Sequence, residues 1–328
     1  MIPRILAAYR GTIESAVRDA LAGETSLRAM LRYHIGIENE DGSEASAMGK
    51  LLRPSLVLWS AEGLGARVDE ALPAAIALEL IHNFSLVHDD IQDRDRTRRG
   101  RATLWTLHGE AEAINAGDLM ETLAFRRSLA GGMDAAECLV EATAEMIEGQ
   151  SLDLAFERRA VSVDEYASMI DRKTGALLRC ALELGGIAAK ADRAVRGELR
   201  TLGVEIGRAF QIRDDLLGVW GDADVVGKPH GSDIRRRKNS FPIAAAFTRA
   251  EGADRQRLAA IYALPGVGDD EVRWVIDLLD RLGVRDEGSR RVEEHLATAK
   301  ASLGRLPLPA AARGEMVELI EFLARREK

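Results

Sequence analysis

The sequence predicts an all-α protein, and three observations carry that prediction. Apolar residues recur every three or four positions along almost the whole chain, with no convincing strand-type alternation. Ala, Leu, Arg and Glu, all good helix formers, dominate the composition. Only 8 of the 328 residues are proline and 5% are aromatic. Hydrophobic residues make up 46% and charged residues 30%, which supplies a sizeable core and argues against disorder.

The elements follow in order. Ile5 to Leu21 carries an apolar stripe and predicts a first helix. The polar stretch Ile37 to Ala47 reads as a loop. Pro54 opens an apolar helix that ends near Gly63 and Gly65. The next helix starts around Pro73, stays apolar to Val87 and meets the acids and arginines of Asp89 to Arg101. A helix over Ala111 to Leu129 closes at Gly131-Gly132. Ser162 and Glu165 make a capping box ahead of a helix to Leu184, which Gly185-Gly186 would end. Asp192 to Trp220 carries the longest apolar stripe, and the loop Gly221 to Gly231 follows. Shorter helices, broken at Pro265-Gly266, Gly283 and Leu306 to Pro309, fill the rest. No low-complexity linker, charge block or solenoid-length repeat divides the chain, so a single domain over residues 1–328 is expected.

Charge narrows the function classes. Lys and Arg number 45 and Asp and Glu 53, a net charge of −8, whereas nucleic-acid binders usually carry a basic excess. Arg94 to Arg101 and Arg235 to Lys238 are clustered but lack interleaved aromatics. No apolar run reaches the roughly 18 residues of a membrane span, and the amphipathic start has no signal-peptide core. Cys138 and Cys180 have no metal-type spacing and read as buried thiols of a reducing cytoplasm.

The acids are the unusual feature. Successive helical residues turn by about 100°, which places Asp89, Asp90 and Asp93 near one face of a helix end. Such a cluster can be a solvated helix end. The apolar run Ala74 to Val87 before it points instead to acids at the mouth of a buried helix, a setting for a hard cation such as Mg2+. Asp214 and Asp215 sit in a second apolar helix, between Phe210 and Leu217, where burying them requires a counter-charge or an ion. Cations accompany both sets: Lys50 and Arg53, then Arg98 and Arg99, Lys173, Lys228 and Lys238. His82, seven positions before Asp89, falls on the same helix face about 10.5 Å deeper. Acids alternating with cations suit a doubly anionic phosphorylated ligand bridged through metal ions.

These residues resemble the trans-polyprenyl diphosphate synthases. The motifs run in that family's order: GKLLRP, HNFSLVHDDIQDRDRTRRG, AGD at Ala116 to Asp118, KTG at Lys173 to Gly175, FQIRDD, and GKPHGSD at Gly227 to Asp233. The resemblance implies an isoprenoid-synthase-type helical bundle around a deep central cavity, usually a homodimer. It implies that Asp89, Asp90 and Asp93, with Asp214 and Asp215, hold Mg2+ on an allylic diphosphate, three ions with substrate bound. It places Arg98, Lys173 and Lys238 on that diphosphate and Lys228 near the second acidic motif. Lys50, Arg53, His82 and Arg99 resemble the isopentenyl diphosphate pocket. Thr174 and Gln211 resemble residues lining the cation's path. Two positions depart from the pattern: Gly218 stands where a third acid is usual, and Leu51 where a third basic residue is common.

The implied reaction ionises the allylic diphosphate, and the double bond of isopentenyl diphosphate attacks the cation. Phe84 and Ser85, five and four residues before Asp89, resemble a bulky and small pair that stops growth at twenty carbons, with fifteen the runner-up. A class I terpene cyclase shares the acidic logic but needs no isopentenyl site. A non-catalytic partner subunit is a further reading, to which Gly218 lends weight.

Overall fold

The computed structural model describes residues 2–157, 159–221 and 230–324, and they are helical nearly throughout. The chain forms two compact units: Met1–Thr143 with Cys180–Leu199 and Pro307–Met316, and Ala144–Arg179 with Arg200–Leu306 and Val317–Lys328.

In the first unit the helix expected over Ile5 to Leu21 is two, α1 (Arg4–Ala8) and α2 (Arg10–Ala20). The break is at Tyr9 (φ −103°, ψ −3°), whose hydroxyl donates to Glu62 at 2.6 Å, a contact that no local pattern announces. α3 (Ser26–Ile35) starts on Thr25, whose side chain accepts from the Arg28 N–H. The loop after it is pinned by a bridge between Glu38 and Glu44.

α4 (Leu52–Gly63) matches its expected span. α5 (Val68–Gln92) begins five residues before Pro73. Asp69 and Glu70 favour the helix start electrostatically, and the Glu70 carboxylate accepts the Arg67 N–H at 2.8 Å. Pro73 is absorbed inside the helix rather than opening it. By length and composition α5 could cross a membrane, which qualifies the sequence-based expectation, but 67% of its apolar window is buried in the protein. It packs as a core helix against α4 and against α7 (Glu110–Ser128).

Between α5 and α7 lie a small hairpin, β1 (Thr97–Arg98) and β2 (Arg101–Ala102), and α6 (Leu104–His108). Strands of two residues show no alternation, so sequence patterning could not reveal them. α8 (Met133–Phe156) follows a 3₁₀ turn at Leu129–Gly131.

The capping box at Ser162 forms as expected: its hydroxyl accepts from the Glu165 N–H at 3.2 Å, and Glu165 accepts the Ser162 N–H at 2.9 Å. The helix it opens is not continuous. α9 (Val163–Ile170) passes through a π-helical turn, Asp171–Gly175, into α10 (Ala176–Ala188). Gly185-Gly186 does not end α10. A β-carbon at 185 would lie 2.7 Å from the Ala61 nitrogen and closer still to Val57 O and Ser60 Oγ. Gly185 therefore lets α10 approach α4, whereas a β-carbon at Gly186 would meet Leu199 Cδ1 at 2.7 Å.

α11 (Arg193–Trp220) is the long apolar-striped helix. α12 (Ser232–Arg235), α13 (Phe241–Arg249), α14 (Gly252–Tyr262), α15 (Asp269–Arg281), α16 (Val284–Arg305) and α17 (Ala310–Ala324) complete the described chain. The breaks at Pro265-Gly266, Gly283 and Leu306 to Pro309 fall where expected. In the second unit α13 is central, packing on α9, α15 and α16.

Gly185→Ala is expected to destabilise the protein by about 1–3 kcal/mol through overpacking. Gly11→Ala, on open helix surface, should be neutral or stabilise by up to about 1 kcal/mol. Denaturant titration of both variants checks this.

Candidate active site

The first acidic set sits where α5 ends in a Schellman turn. The Asp95 N–H donates to Asp90 O at 3.0 Å and the Arg94 N–H to Ile91 O at 3.3 Å, with Arg94 left-handed at φ 58°. The expectation of one shared acidic face is corrected here. Asp90 turns inward and is 2% exposed, Asp89 is half-buried, and Asp93, the C-cap, is exposed. Adjacent helical positions are too far apart in angle to share a face.

Asp90 Oδ1 accepts from Arg98 Nε at 2.7 Å, while its buried Oδ2 has no hydrogen-bond partner. Burial pushes this carboxyl up to about 6 against the pull of Arg98, with Asp95 and Asp93 adding to the rise. A buried carboxylate oxygen without a donor is chemically suited to a hard cation.

Arg98 lies at one end of the hairpin. Its two-residue loop, Arg99-Gly100, has φ values of 53° and 76°, as a type I′ turn requires. A left-handed arginine is disfavoured by roughly 1–2 kcal/mol, so the side chain itself is the reason to suspect function here. The Arg99 guanidinium lies over Gly49, where a β-carbon would sit 2.7 Å from Nη2. Leu51, at the N-cap of α4, is also left-handed (φ 53°). Lys50 is exposed.

Arg53 Nε is buried without a partner. Burial lowers the guanidinium to about 10, and nearby Glu79 resists that fall. Glu79 is 5% exposed and accepts from Asn83 Nδ2 at 2.9 Å. Burial raises it, while Arg53, Asn83 and Arg99 hold it down. His82 is kept well below the usual histidine range by burial and then by Arg53, Arg99 and Arg98, so it is neutral. Phe84 is buried and packs edge-on to His88 with ring centroids 4.9 Å apart. Ser85 turns its hydroxyl back to His82 O at 2.8 Å.

A small pocket adjoins the hairpin, lined by Tyr33, His34, Asp90, Arg98, Arg99 and Arg101 among others. Arg101 stacks 4.1 Å from the Tyr33 ring centre. His34 Nε2 is buried without a partner. Burial, then the three arginines, lower this histidine to about 3.

The second acidic set lies in the other unit and is organised around Asp215. This carboxylate is fully buried. It accepts from Tyr166 Oη at 2.6 Å, Lys238 Nζ at 2.8 Å, the Phe241 N–H at 2.9 Å and Gln211 Nε2 at 3.1 Å. Four donors leave it orienting its neighbours. Asp214, next to it, is half-buried. Burial works against the Lys238 charge, yet Asp215 and Asp233 outweigh it and hold the ammonium above the ordinary lysine range.

Thr174 Oγ1 donates to Gln211 Oε1 at 2.9 Å, which links the π turn to this cluster. The turn is braced by Arg208, which grips both Asp171 oxygens at 2.7 and 2.6 Å. Lys173, also on the turn, pairs with Asp153. An inserted π turn re-aims side chains relative to a regular helix and often marks a functional site.

Within the second unit the structure thus brings together Lys173, Thr174, Gln211, Asp214, Asp215 and Lys238. Within the first it gathers Arg53, His82, Asp90, Arg98 and Arg99, with Asp89 and Asp93 at the same helix end. Lys228 lies outside the described residues. Among the described residues, no group of three or more His, Cys, Asp or Glu side chains is close enough to hold an ion. The features that fit one are the donorless oxygen of Asp90 and the half-buried carboxylates of Asp89 and Asp214.

Sequence reading missed Glu79, Asn83, Asp153 and Tyr166. Glu79 carried a signal, being an acid inside the apolar run Ala74 to Val87. Asp153 and Tyr166 carried none, since their partners are distant in sequence.

Comparison with known proteins places these residues in context. The polyprenyl synthetase family model matches residues 43–279. A (2E,6E)-farnesyl diphosphate synthase of Mycobacterium bovis is 38% identical over 312 residues, covering 92% of this chain and 86% of the relative. A geranylgeranyl diphosphate synthase of Mycobacterium tuberculosis is 38% identical over 314 residues, covering 92% and 87%. The crystal structure of a geranylgeranyl pyrophosphate synthetase from Pyrococcus horikoshii superposes with a TM-score of 0.88 at 34% identity, over 98% of both chains.

The neutral His34 predicts a pH dependence of stability. Its folded pKa is depressed, so its contribution is fully present above about 6.5 and is lost as pH falls toward about 3. Between pH 6.5 and 5 the unsubstituted protein should lose about 1–2 kcal/mol more stability than His34→Gln. Urea titrations at the two pH values measure the difference.

Proposed function

The chain belongs to the polyprenyl synthetase family, and we propose that it condenses isopentenyl diphosphate with an allylic diphosphate to give twenty-carbon all-trans geranylgeranyl diphosphate. It is a prenyltransferase of isoprenoid biosynthesis. One observation carries the reading: the family match at residues 43–279 encloses every acidic and cationic site residue from Lys50 to Lys238. A terpene cyclase has no use for an isopentenyl pocket and is not favoured. We read residues 1–328 as one catalytic domain.

Asp89, Asp90 and Asp93, with Asp214, would hold the Mg2+ ions, up to three with substrate bound, and Asp215 would orient Lys238 and Gln211 beside them. Mg2+ there would neutralise the charge that builds on the departing diphosphate. Arg98, Lys173 and Lys238 supply fixed positive charge to the same oxygens. Each rests on a carboxylate beforehand, Arg98 on Asp90, Lys173 on Asp153 and Lys238 on Asp215. Their positions are therefore set before substrate arrives, which limits reorganisation during the reaction. By resemblance alone, Lys228 would add a further contact to the diphosphate.

Lys50, Arg53, His82 and Arg99 would bind the isopentenyl diphosphate head group. Glu79, held by Asn83, offsets the Arg53 and Arg99 charges, and neutral His82 contributes hydrogen bonding without a fourth cation. Thr174 and Gln211 line the path of the allylic cation. The proton lost from the new carbon skeleton goes to the departing diphosphate. Apolar side chains exclude water that would quench the cation.

Phe84, buried beside His88, forms the floor for the growing tail at twenty carbons. Fifteen carbons is the second reading, since relatives making either product are equally similar. Exposed Ile114 and Leu129, with Met133 and Val140 one heptad apart on α8, offer apolar surface for a second copy of the chain. A homodimer fits these features, and the two cysteines, both free thiols, fit the cytoplasm.

Asp89→Ala should reduce Mg2+-dependent condensation by about 100-fold or more while leaving the melting temperature unchanged. Incorporation of labelled isopentenyl diphosphate measures it, and retained turnover would remove the assignment. Phe84→Ala should shift products to longer chains by mass spectrometry. An unchanged length would exclude Phe84 as the floor.

A further inference from the structure

We propose that Arg10 is a positioning residue for the isopentenyl diphosphate pocket: its guanidinium clamps the Met48 and Gly49 carbonyls and so fixes the segment that carries Lys50 and Arg53. The inference rests on the proposed condensation and deepens it. Arg10 acts through the backbone rather than on the substrate.

The clamp uses the whole fork of the side chain. Arg10 Nη1 donates to Gly49 O and Nη2 to Met48 O, each at 3.2 Å. Nε lies 3.0 Å from Glu14 Oε1, one turn along α2. Glu14 thereby keeps the guanidinium plane from turning away from the loop. Arg10 is the first residue of α2, directly after the break at Tyr9. Tyr9 reaches Glu62 near the C-terminal end of α4, while Arg10 reaches the loop that leads into its N-terminal end. Two neighbouring residues therefore hold both ends of a helix roughly 18 Å long. The break between α1 and α2 gains a purpose from this, since it sends adjacent side chains to separate ends of α4.

The loop needs such a hold. Upstream, the Ala47 N–H donates to Gly36 O at 3.0 Å, and downstream the Ser55 N–H donates to Leu51 O at 3.1 Å. Between those anchors Leu51 is left-handed at φ 53°, a conformation disfavoured for leucine and kept only where neighbouring contacts impose it. Met48 and Gly49 immediately precede Lys50, and theirs are the carbonyls that Arg10 grips. An arginine fork meets two consecutive carbonyls at once. A lysine at the same place offers a point charge without the fork.

The test uses the full chain with Arg10→Ala, Arg10→Lys and Glu14→Gln. Three readouts are taken: steady-state kinetics with both diphosphates, calorimetric binding of isopentenyl diphosphate with Mg2+, and tryptic cleavage after Lys50. Lys50 is exposed, so cleavage there reports on the loop without turnover or ligand. Arg10→Ala should raise the KM for isopentenyl diphosphate about tenfold and weaken its binding to match, through loss of two charge-assisted hydrogen bonds at a part-exposed site. The kcat and the KM for the allylic diphosphate should stay within about twofold, because what is lost is uniform binding of one substrate. Cleavage after Lys50 should quicken about tenfold relative to other tryptic sites, which separates local loosening from a general loss of stability. Arg10→Lys should recover part of each effect, and it carries the same comparison if Arg10→Ala does not fold. Glu14→Gln should show a smaller loss in the same direction. Unchanged isopentenyl diphosphate KM and binding, an equal rise in the allylic KM, or cleavage that quickens alike at every site would overturn the clamp. Weaker isopentenyl diphosphate binding with faster cleavage after Lys50, in a chain that never condenses the two substrates, would instead overturn the proposed function and leave the clamp intact.

Discussion

A carboxylate carried by an apolar helix must find a counter-charge, because burial strips it of water. Both acidic sets obey this constraint, and much of the rest of the site can be understood from it. At the end of α5, Asp90 is met by Arg98 from the hairpin. On α11, Asp215 is met by Lys238 and by three further donors. The acids fix the cations in place, and the same cations are those a diphosphate would need. In the proposed reaction, substrate and ions exchange partners within each set, where cation and carboxylate are already paired.

Backbone geometry is spent on the same end. Arg99 and Leu51 adopt left-handed conformations that favour glycine, and both flank the residues proposed for the isopentenyl pocket. The π turn at Asp171–Gly175 interrupts an otherwise regular helix to present Lys173 and Thr174. Its bracing by Arg208 and Asp171 holds a conformation that a regular helix would not supply.

Much of the fold was legible in local chemistry. The all-α class, the capping box at Ser162 and the breaks at Gly283 and Pro265-Gly266 all follow from helix propensity, capping and breakers. Features set by tertiary contact were not. Tyr9 breaks the first helix while reaching Glu62, Pro73 is tolerated inside α5, and Gly185 serves a close helix approach rather than a stop. The candidate site divides the same way. Its acids and cations stood out as charges within or beside apolar helices, and their order carried the family resemblance. Their partners Asp153, Tyr166 and Asn83 did not, because each is an ordinary residue until the fold brings it to a charge. The angular spread of Asp89, Asp90 and Asp93 was legible in principle, since the 100° step separates adjacent positions.

The proposed reaction requires two acidic helix segments, far apart along the chain, to hold one diphosphate through shared divalent ions. Crystals grown with Mn2+ in place of Mg2+ and a non-hydrolysable allylic diphosphate would test this directly through the metal's anomalous scattering. The proposed reaction requires Mn2+ peaks beside Asp89 or Asp93 and beside Asp214, all bound to a single diphosphate. Metal at only one acidic set, or a diphosphate bound without contact to either set of ions, would contradict it.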